Sequence, residues 1–358
     1  MRPLSATECI NPAFERTRLI LFSPFRKGRS WKLSATSYLC CCGTIYFPFP
    51  LMYLAFIPAV KGFGAWAVIS VVVAVLILTG LYTWIFHLCS RLQFAYFDIM
   101  VNRGEFVAPA WRKYRAQALP WTGFKFLLGV VLALVTAVPL IAYVRHLIPL
   151  FAAMPRPGQP PNPEFVQAMV GFYAGYGVLM LLFGLVFLVS SLLADFIVPS
   201  LALEDTGLKE AFRRMALLIR REPGEFTLYT LLKLGLAIAF YMAATIIWEI
   251  VFFIASLIVG AVVFLIGYLL HLAGIPHLVL FVLGSLLGVV WYLFTIVYTL
   301  MLALGPVFTF MNAYAIYFLG GRYPMLGELL ERSTPPPPAP PAFPYAAPYP
   351  AYPPPPIP

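Results

Sequence analysis

Five or six long apolar stretches dominate this sequence, and each is long enough for an α-helix to cross a lipid bilayer. A hydrocarbon core about 30 Å thick requires roughly 20 apolar residues at a rise of about 1.5 Å per residue. The runs that meet or exceed this length are 37–60, 64–90, 124–150, 165–194, 226–272 and 277–319. Only 11% of the residues are charged and the mean hydropathy is +0.87, whereas soluble proteins carry about 25% charged residues. The sequence therefore excludes a soluble protein and predicts an all-α, polytopic membrane helical bundle.

The positive charges predict how the chain is oriented. Nearly all of the 24 Lys and Arg residues fall in four segments, which are 1–36, 91–123, 203–225 and 320–358. Lys61, Arg145 and Arg156 fall on the opposite side. Because cytoplasmic segments carry an excess of Lys and Arg, we predict a protein of the cell membrane with both termini in the cytoplasm. The same bias accounts for the net charge of +10, so we expect no nucleic-acid binding.

We divide the chain into three parts. These are a cytoplasmic interfacial segment at 1–36, a helical membrane domain at 37–325 and a disordered proline-rich tail at 326–358. About six transmembrane helices, arranged as three helical hairpins with interfacial amphipathic helices, are predicted at 37–60, 64–90, 124–150, 165–194, 226–255 and 277–305.

The run 226–272 allows two interpretations. A single helix of this length would be about twice as long as the bilayer is thick, so we expect a bend or turn between Trp248 and Gly260. The second piece is then either a re-entrant helix or a second full crossing. In the second case a further break at Gly305-Pro306 would give eight spans.

A short internal repeat favours six spans. Phe97-Asp98, Asp195-Phe196 and, more weakly, Phe310-Met311-Asn312 each follow a long apolar run. A short amphipathic element comes after each of them. The repeat predicts three helical hairpins, each ending in a basic element on the cytoplasmic side.

The segment 206–221 has the pattern of an amphipathic helix, with Asp205 or Thr206 as its N-cap and Pro223-Gly224 as its end. Its apolar face contains Leu208, Ala211, Phe212, Met215, Leu218 and Ile219. Such a helix either lies in the headgroup plane, with its cations on anionic lipid, or packs beneath the bundle as a cytoplasmic loop. The candidate contacts to anionic lipid headgroups are Lys209, Arg213, Arg214, Arg220, Arg221, Arg112 and Lys113.

Few residues are candidates for chemistry. Glu249 is the only carboxylate deep within an apolar run, and intramembrane carboxylates are costly enough to be functional candidates. We therefore name Glu249 as the candidate intramembrane polar site, although Trp248-Glu249 is better interpreted as the outer turn of a hairpin. Asp98 and Asp195 are expected at the inner interface, paired with nearby Arg residues.

The cysteines and histidines match no metal-binding motif. Cys40, Cys41 and Cys42 point about 100° apart on a helix, so they cannot all face one ion together with His87 and Cys89. We expect reduced, buried cysteines, no metal, no cofactor and no catalytic residue.

The C-terminal tail has a composition of its own. From 335 to 358, 14 of 24 residues are proline, which favours an extended polyproline II conformation. The runs 335–338 and 353–356 are candidate ligands for a proline-reading protein partner.

Five segments resemble a family of uncharacterised prokaryotic multi-pass membrane proteins. They are NPAFERT at 11–17, FRK at 25–27, DFIVP at 195–199, EDTGLKEAFR at 204–213 and YAIYFLG at 314–320. The likeness covers about residues 9 to 325, and the family is also similar to the membrane portion associated with some glycerophosphodiester phosphodiesterases. The resemblance implies no known activity and no catalytic residues.

Two classes of function remain. The first is a non-enzymatic envelope or lipid-associated scaffold whose basic elements bind membrane lipids. The second is a transporter or channel for a small solute or lipid. The sequence favours the scaffold, because carriers and channels usually place several polar residues at mid-depth and only Glu249 qualifies here.

Overall fold

A computed structural model describes residues 2–23, 25–47, 64–104, 106–152, 154, 155, 160, 162–204 and 206–333. Within these ranges the chain forms ten α-helices and no strand, which confirms the all-α helical bundle. The helices are α1 (Ile10–Phe22), α2 (Lys27–Cys42), α3 (Ala65–Asn102), α4 (Val107–Lys113), α5 (Arg115–Ala152), α6 (Pro163–Glu204), α7 (Leu208–Arg221), α8 (Pro223–Leu272), α9 (His277–Gly320) and α10 (Pro324–Ser333). The proline-rich run 335–358 lies outside the described residues.

Five of these helices are long and apolar enough to cross a membrane, and they are α3, α5, α6, α8 and α9. Their outer surfaces are apolar on all sides, as Trp66, Leu181 and Phe264 illustrate with exposed fractions of 82%, 73% and 76%. Exposed apolar surface of this extent is unfavourable in water and favourable in lipid. The helical architecture is thus the one that a bilayer permits, because each helix satisfies its own backbone hydrogen bonds.

The first predicted span, 37–60, differs from the structure. α2 begins at Lys27, ten residues before the predicted start, and ends at Cys42, and the Gly43 N–H caps it by donating to the Cys40 carbonyl at 3.1 Å. A Cβ at Gly43 would lie 2.7 Å from the backbone of Cys89, so the close contact between α2 and α3 requires glycine here. Residues 48–63, with Lys61, lie outside the described part of the chain.

The expected break between Trp248 and Gly260 is wrong. α8 is one helix of 50 residues, about 75 Å long at 1.5 Å per residue. No proline follows Pro223 within it, so nothing interrupts the ladder of backbone hydrogen bonds. Between α8 and α9 the chain turns at Gly274, whose φ of +87° is accessible to glycine. Neither the re-entrant helix nor the second crossing exists.

The alternative break at Gly305-Pro306 is also absent, because α9 continues through both residues. A Cβ at Gly305 would lie 2.5 Å from the Cβ of Ser34, so this glycine allows α2 to pack closely on α9. Helices in lipid tolerate a proline when neighbouring groups satisfy the freed carbonyl.

The buried core lies at the end of the bundle that holds α4, α7 and α10. Trp121, Tyr229 and Phe318 are completely buried there, and the rings of Tyr229 and Phe318 stack with centroids 4.3 Å apart. The described ends of the three predicted hairpins meet in this core. α10 is not basic, since it carries Glu328 and Glu331 beside Arg332.

Two buried arginines connect the terminal segments to the core. The Arg16 guanidinium donates to the carbonyls of Met100 and Val101 at the end of α3, at 2.7 and 2.8 Å, and to Ser333 Oγ at 2.8 Å. Burial lowers the pKa of Arg16, because desolvation disfavours its charged form. Arg322 donates to the Leu4 carbonyl at 2.9 Å. The segment 1–36 is therefore partly buried against α9 and α10.

Candidate functional site

A cavity of about 290 Å³ lies between α2, α3, α6, α8 and α9, next to the buried core. Most of its wall is apolar, and it includes Phe187, Leu188, Ala237 and Ile316. The volume is close to the lower limit of about 300 Å³ for small-molecule pockets. An apolar cavity with a few converging polar groups is the usual form of a ligand site.

A buried ion pair forms the polar part of the wall. Asp195 on α6 and Lys233 on α8 contact each other directly, and their side chains are only 7% and 6% exposed. The Lys233 ammonium also donates to Ser191 Oγ at 2.8 Å, and the Tyr229 hydroxyl donates to Asp195 Oδ2 at 2.8 Å. These residues converge because positions four apart share one helical face, 191 with 195 on α6 and 229 with 233 on α8.

A second buried lysine lies behind the same wall. Lys125 on α5 is 3% exposed and donates to the Gly43 carbonyl, to Ser90 Oγ at 2.7 Å and to Gln93 Oε1 at 3.0 Å. Gln93, which lines the cavity, also accepts from Trp121 Nε1 at 3.0 Å. Among the residues that the structure describes, the acceptors of Lys125 are a carbonyl, a hydroxyl and an amide.

The two lysines occupy equivalent places in two helix pairs. Lys125 lies ten residues after the first residue of α5, and Lys233 lies ten residues after the first residue of α8. In both pairs an aromatic donor four residues earlier bonds to the same acceptor as the lysine. The acceptor on the preceding helix is an amide in one pair, Gln93, and a carboxylate in the other, Asp195. Asp195 and Lys233 thus lie in the wall of the cavity itself, whereas Lys125 lies behind it.

Two further polar residues, Ser37 and Asn312, line the cavity. Ser37 is completely buried, and its hydroxyl lies beside the hydroxyl of Tyr96. The Asn312 Nδ2 group donates a hydrogen bond to the Phe308 carbonyl at 2.8 Å.

Glu249 does not belong to this site. It lies on an exposed face of α8, sixteen residues after Lys233 and so about 24 Å away along the helix axis. The interpretation of Trp248-Glu249 as an outer turn is wrong, because α8 continues through both residues. Its role as an intramembrane polar site stays a prediction.

The predicted lipid-contact residues lie near the core end of the bundle. Lys209, Arg213, Arg220, Arg221, Arg112 and Lys113 are exposed. Arg213 and Arg214 pair with Glu210, Arg214 also pairs with Glu204, and Lys113 pairs with Asp98.

α7 begins later than its sequence pattern predicts. Its N-cap is Gly207 instead of Asp205 or Thr206, while Pro223 starts α8, as proline often does at a first helical position. The apolar face of α7, with Phe212, Met215 and Leu218, packs against the core of the bundle.

The aspartates, His87 and the cysteines form ordinary side-chain contacts in the described structure. Asp98 and Asp195 pair with lysines, whereas arginine partners were expected. Within the described ranges no group of three or more His, Cys, Asp and Glu residues is arranged to hold a metal ion. His87 Nδ1 instead lies 3.1 Å from Thr122 Oγ1. Cys40 and Cys41 line the cavity as free thiols.

Sequence reasoning missed the lysine pair. Lys233 is a single charge within the apolar run 226–272, and Lys125 lies at the start of the run 124–150. Neither residue was named as a candidate. The signal that would have found them is an aromatic residue four positions before a lysine near the start of an apolar helix, which occurs at Trp121 and again at Tyr229.

Comparisons with known proteins give a family but no activity. No curated protein matches this chain. No solved structure matches it either. The family model described as a family of unknown function (DUF7544) matches residues 4–329. The match covers most of the chain, so the chain belongs to that family. The matched range includes every described residue that lines the cavity.

Proposed function

We propose that this chain is a multi-pass protein of the cell membrane that binds a small solute or lipid in the cavity between its helices. The observation that carries the proposal is that both members of the buried Asp195–Lys233 pair line this cavity. Apolar residues of similar volume are often as stabilising as a buried ion pair or more so. An ion pair placed against a cavity in an apolar bundle is therefore better explained by recognition than by stability.

The proposed orientation places the core end of the bundle in the cytoplasm. Support comes from the exposed Lys209, Arg220, Arg221 and Arg112 at that end, since the cytoplasmic side carries the excess of Lys and Arg. The N-terminal segment and α10 both pack at this end. Both termini are therefore proposed to be cytoplasmic.

The proposed activity is binding or transport, without catalysis. The resemblance to the membrane portion associated with glycerophosphodiester phosphodiesterases, which rests on the sequence alone, is a further reason to propose a lipid-derived ligand, as an analogy of architecture. The proline-rich tail at 335–358 remains a candidate ligand for a proline-reading partner.

Photolabelling tests whether the cavity binds a ligand. The purified protein in liposomes is irradiated with a diazirine derivative of decanol, and the labelled residues are located by mass spectrometry. We expect labelling of cavity residues that unlabelled decanol displaces. Ala237→Trp fills the cavity and should abolish this labelling. Ala239→Trp is the matched control, because Ala239 is exposed on the same helix. Equal labelling of both variants would refute the proposal.

A lipid-associated scaffold is the second candidate. It is favoured by the cations exposed on α7, which include Lys209, Arg220 and Arg221, at about 1 kcal/mol each on an anionic surface. The test is lipid retention during purification from phosphatidylglycerol-containing membranes. Replacement of these three residues by Gln should reduce the retained phosphatidylglycerol and leave cavity labelling unchanged. Unchanged retention would contradict the scaffold.

A further inference from the structure

We propose that the cavity binds an uncharged lipid with one apolar chain and a hydroxyl head group. The hydroxyl lies on the Asp195–Lys233 pair, and the chain extends into an opening between α6 and α8. This inference rests on the proposed ligand cavity and adds the class and the orientation of its ligand. The balance of charge in the wall, the unused hydrogen-bonding groups of the ion pair and the position of the opening support it.

The charges in the cavity wall cancel. Among the described residues that line the cavity, Asp195 carries the one negative charge and Lys233 the one positive charge, and the two groups contact each other directly. A ligand with a net charge would therefore leave water without finding a free counterion in the wall, which is unfavourable in an apolar cavity. This balance favours an uncharged head group.

The ion pair keeps one acceptor and one donor for a ligand. The Tyr229 hydroxyl and the Lys233 ammonium both donate to Asp195 Oδ2, and among the described residues no group donates to Asp195 Oδ1. An ammonium has three N–H donors, and Lys233 uses two of them, on Ser191 Oγ and Asp195 Oδ2. A hydroxyl has one donor and two acceptor lone pairs, so it can donate to Asp195 Oδ1 and accept from Lys233 at the same time. A carboxylate cannot donate, and a quaternary ammonium can do neither.

The cavity opens between α6 and α8. Gly184 and Phe187 on α6 and Leu234 on α8 line the cavity and are also exposed, so they lie at its opening. A Cβ at Gly184 would meet no atom within 4 Å. Both helices are long and apolar enough to cross a membrane, and exposed apolar surface of this kind is favourable in lipid. The chain of a ligand can therefore continue from the cavity into the bilayer.

The distance between the ion pair and the opening sets the orientation of the ligand. Phe187 lies eight residues before Asp195 on α6 and so about 12 Å away along the helix axis. This distance is close to the length of an extended decyl chain. A decyl ligand with its hydroxyl on Asp195 and Lys233 therefore has its chain end near Phe187.

A comparison of four probes in the wild-type protein tests the head group. Diazirine derivatives of decanol, decane, decanoate and decyltrimethylammonium are irradiated in liposomes, and labelling of Leu188 and Ile316 in the cavity is measured by mass spectrometry. Division by the labelling of Phe264, which is exposed on α8, corrects for unequal partition of the probes into the bilayer. We expect the corrected labelling by decanol to exceed that by each other probe about tenfold, because its hydroxyl forms hydrogen bonds to charged groups. Labelling by any other probe that equals or exceeds that by decanol would overturn the inference.

Removal of both polar groups tests their part in this preference. In Asp195→Leu/Lys233→Met, decanol should lose its advantage over decane, while decane still labels the cavity and shows that the variant is folded. Lys209→Met is the control, because Lys209 is exposed, and it should keep the preference for decanol. A preference that persists in the double variant would contradict the inference. If the double variant loses labelling by decane, the comparison in the wild-type protein decides alone.

Two positions of the diazirine test the orientation. A decanol probe with the diazirine beside the hydroxyl should label Ala194, which lines the cavity next to Asp195. A decanol probe with the diazirine at the chain end should label Phe187 instead. Reversed or identical patterns would show that the chain does not extend toward the opening.

Competition distinguishes a lipid from a free polyol as the source of the hydroxyl. Unlabelled monodecanoylglycerol should displace the decanol probe, and glycerol should not, because glycerol has no chain to place in the opening. Displacement by glycerol, or no displacement by monodecanoylglycerol, would overturn the assignment of a single-chain lipid.

Failure of this inference differs from failure of the proposed function. If the cavity is labelled without the expected preference, orientation or competition, the ligand class is wrong and the cavity stands. If none of the probes labels the cavity, the proposed function itself is refuted.

Discussion

Removal of one member of the Asp195–Lys233 pair should destabilise the protein more than removal of both. Lys233→Met removes the cation from Asp195, whose side chain is 7% exposed and whose remaining donor among the described residues is the Tyr229 hydroxyl. An unpaired buried charge of this kind costs about 3–5 kcal/mol. Asp195→Leu leaves the Lys233 ammonium in the same situation and should cost a similar amount.

The double variant separates the ion pair from simple packing. In Asp195→Leu/Lys233→Met neither charge of the pair remains, and two apolar side chains replace it. The hydroxyls of Ser191 and Tyr229 lose partners, at about 1–2 kcal/mol each, and apolar contact offsets part of this loss. We expect the double variant to be more stable than either single variant, with a coupling free energy of at least about 3 kcal/mol.

The measurement is the free energy of unfolding in mixed micelles of mild detergent and dodecyl sulfate, followed by tryptophan fluorescence. Lys209→Met is the control, because Lys209 is exposed and the same change there should stay within about 0.5 kcal/mol of the wild type. Additive single and double effects would show that the two groups do not interact, and the assignment of a buried ion pair to the cavity wall would be refuted.

Three further outcomes are expected. Arg16→Met should lower the free energy of unfolding by about 3 kcal/mol, because buried carbonyls of Met100 and Val101 lose their donor; a change below about 0.5 kcal/mol in the same titration would contradict the assigned bonds. Burial raises the pKa of the Cys9 thiol from 9.0 to about 12, so the folded state holds this proton longer than the unfolded state. Stability should then fall by up to about 1.4 kcal/mol per pH unit as the pH rises above about 9, and Cys9→Ala should flatten the pH dependence of Tm; identical slopes would exclude this role. Glu249→Gln should leave photolabelling of the cavity unchanged, because Glu249 is exposed on α8 far from Lys233; loss of labelling would return Glu249 to the ligand site.

Much of the helical architecture follows from the sequence, because length and hydropathy are local properties. The amphipathic pattern of 206–221 predicted α7 to within two residues of its start, and α9 begins at His277, the first residue of the last predicted span. The expected bend in 226–272 failed because bilayer thickness was used to limit helix length. A helix ends where a residue breaks its hydrogen bonds, and α8 contains no such residue after Pro223.

The site was less accessible to sequence reasoning for a physical reason. Asp195 and Lys233 are 38 residues apart, and they meet only because α6 and α8 present particular faces to each other. Helices that are apolar on all sides carry no periodic signal that tells which face is inward. The partner of Asp195 therefore could not be identified without the tertiary packing. The four-residue spacing from Trp121 and Tyr229 to a following lysine is visible in the sequence, but nothing in the sequence tells what it means.

The contact of the N-terminal segment with the last helices constrains how this protein is made. Arg16 bonds to Ser333 and Arg322 bonds to Leu4, so α1 finds its final neighbours only when the ribosome has synthesised more than 300 residues beyond it. At about 5–20 residues per second this delay is roughly 15–60 s. During that interval α1 can contact α2 and the end of α3, but its contacts to α9 and α10 cannot yet form. The packing of the first helix is thus completed only by the last helices to be synthesised, so truncation of the chain before α9 should expose buried residues of α1 such as Arg16.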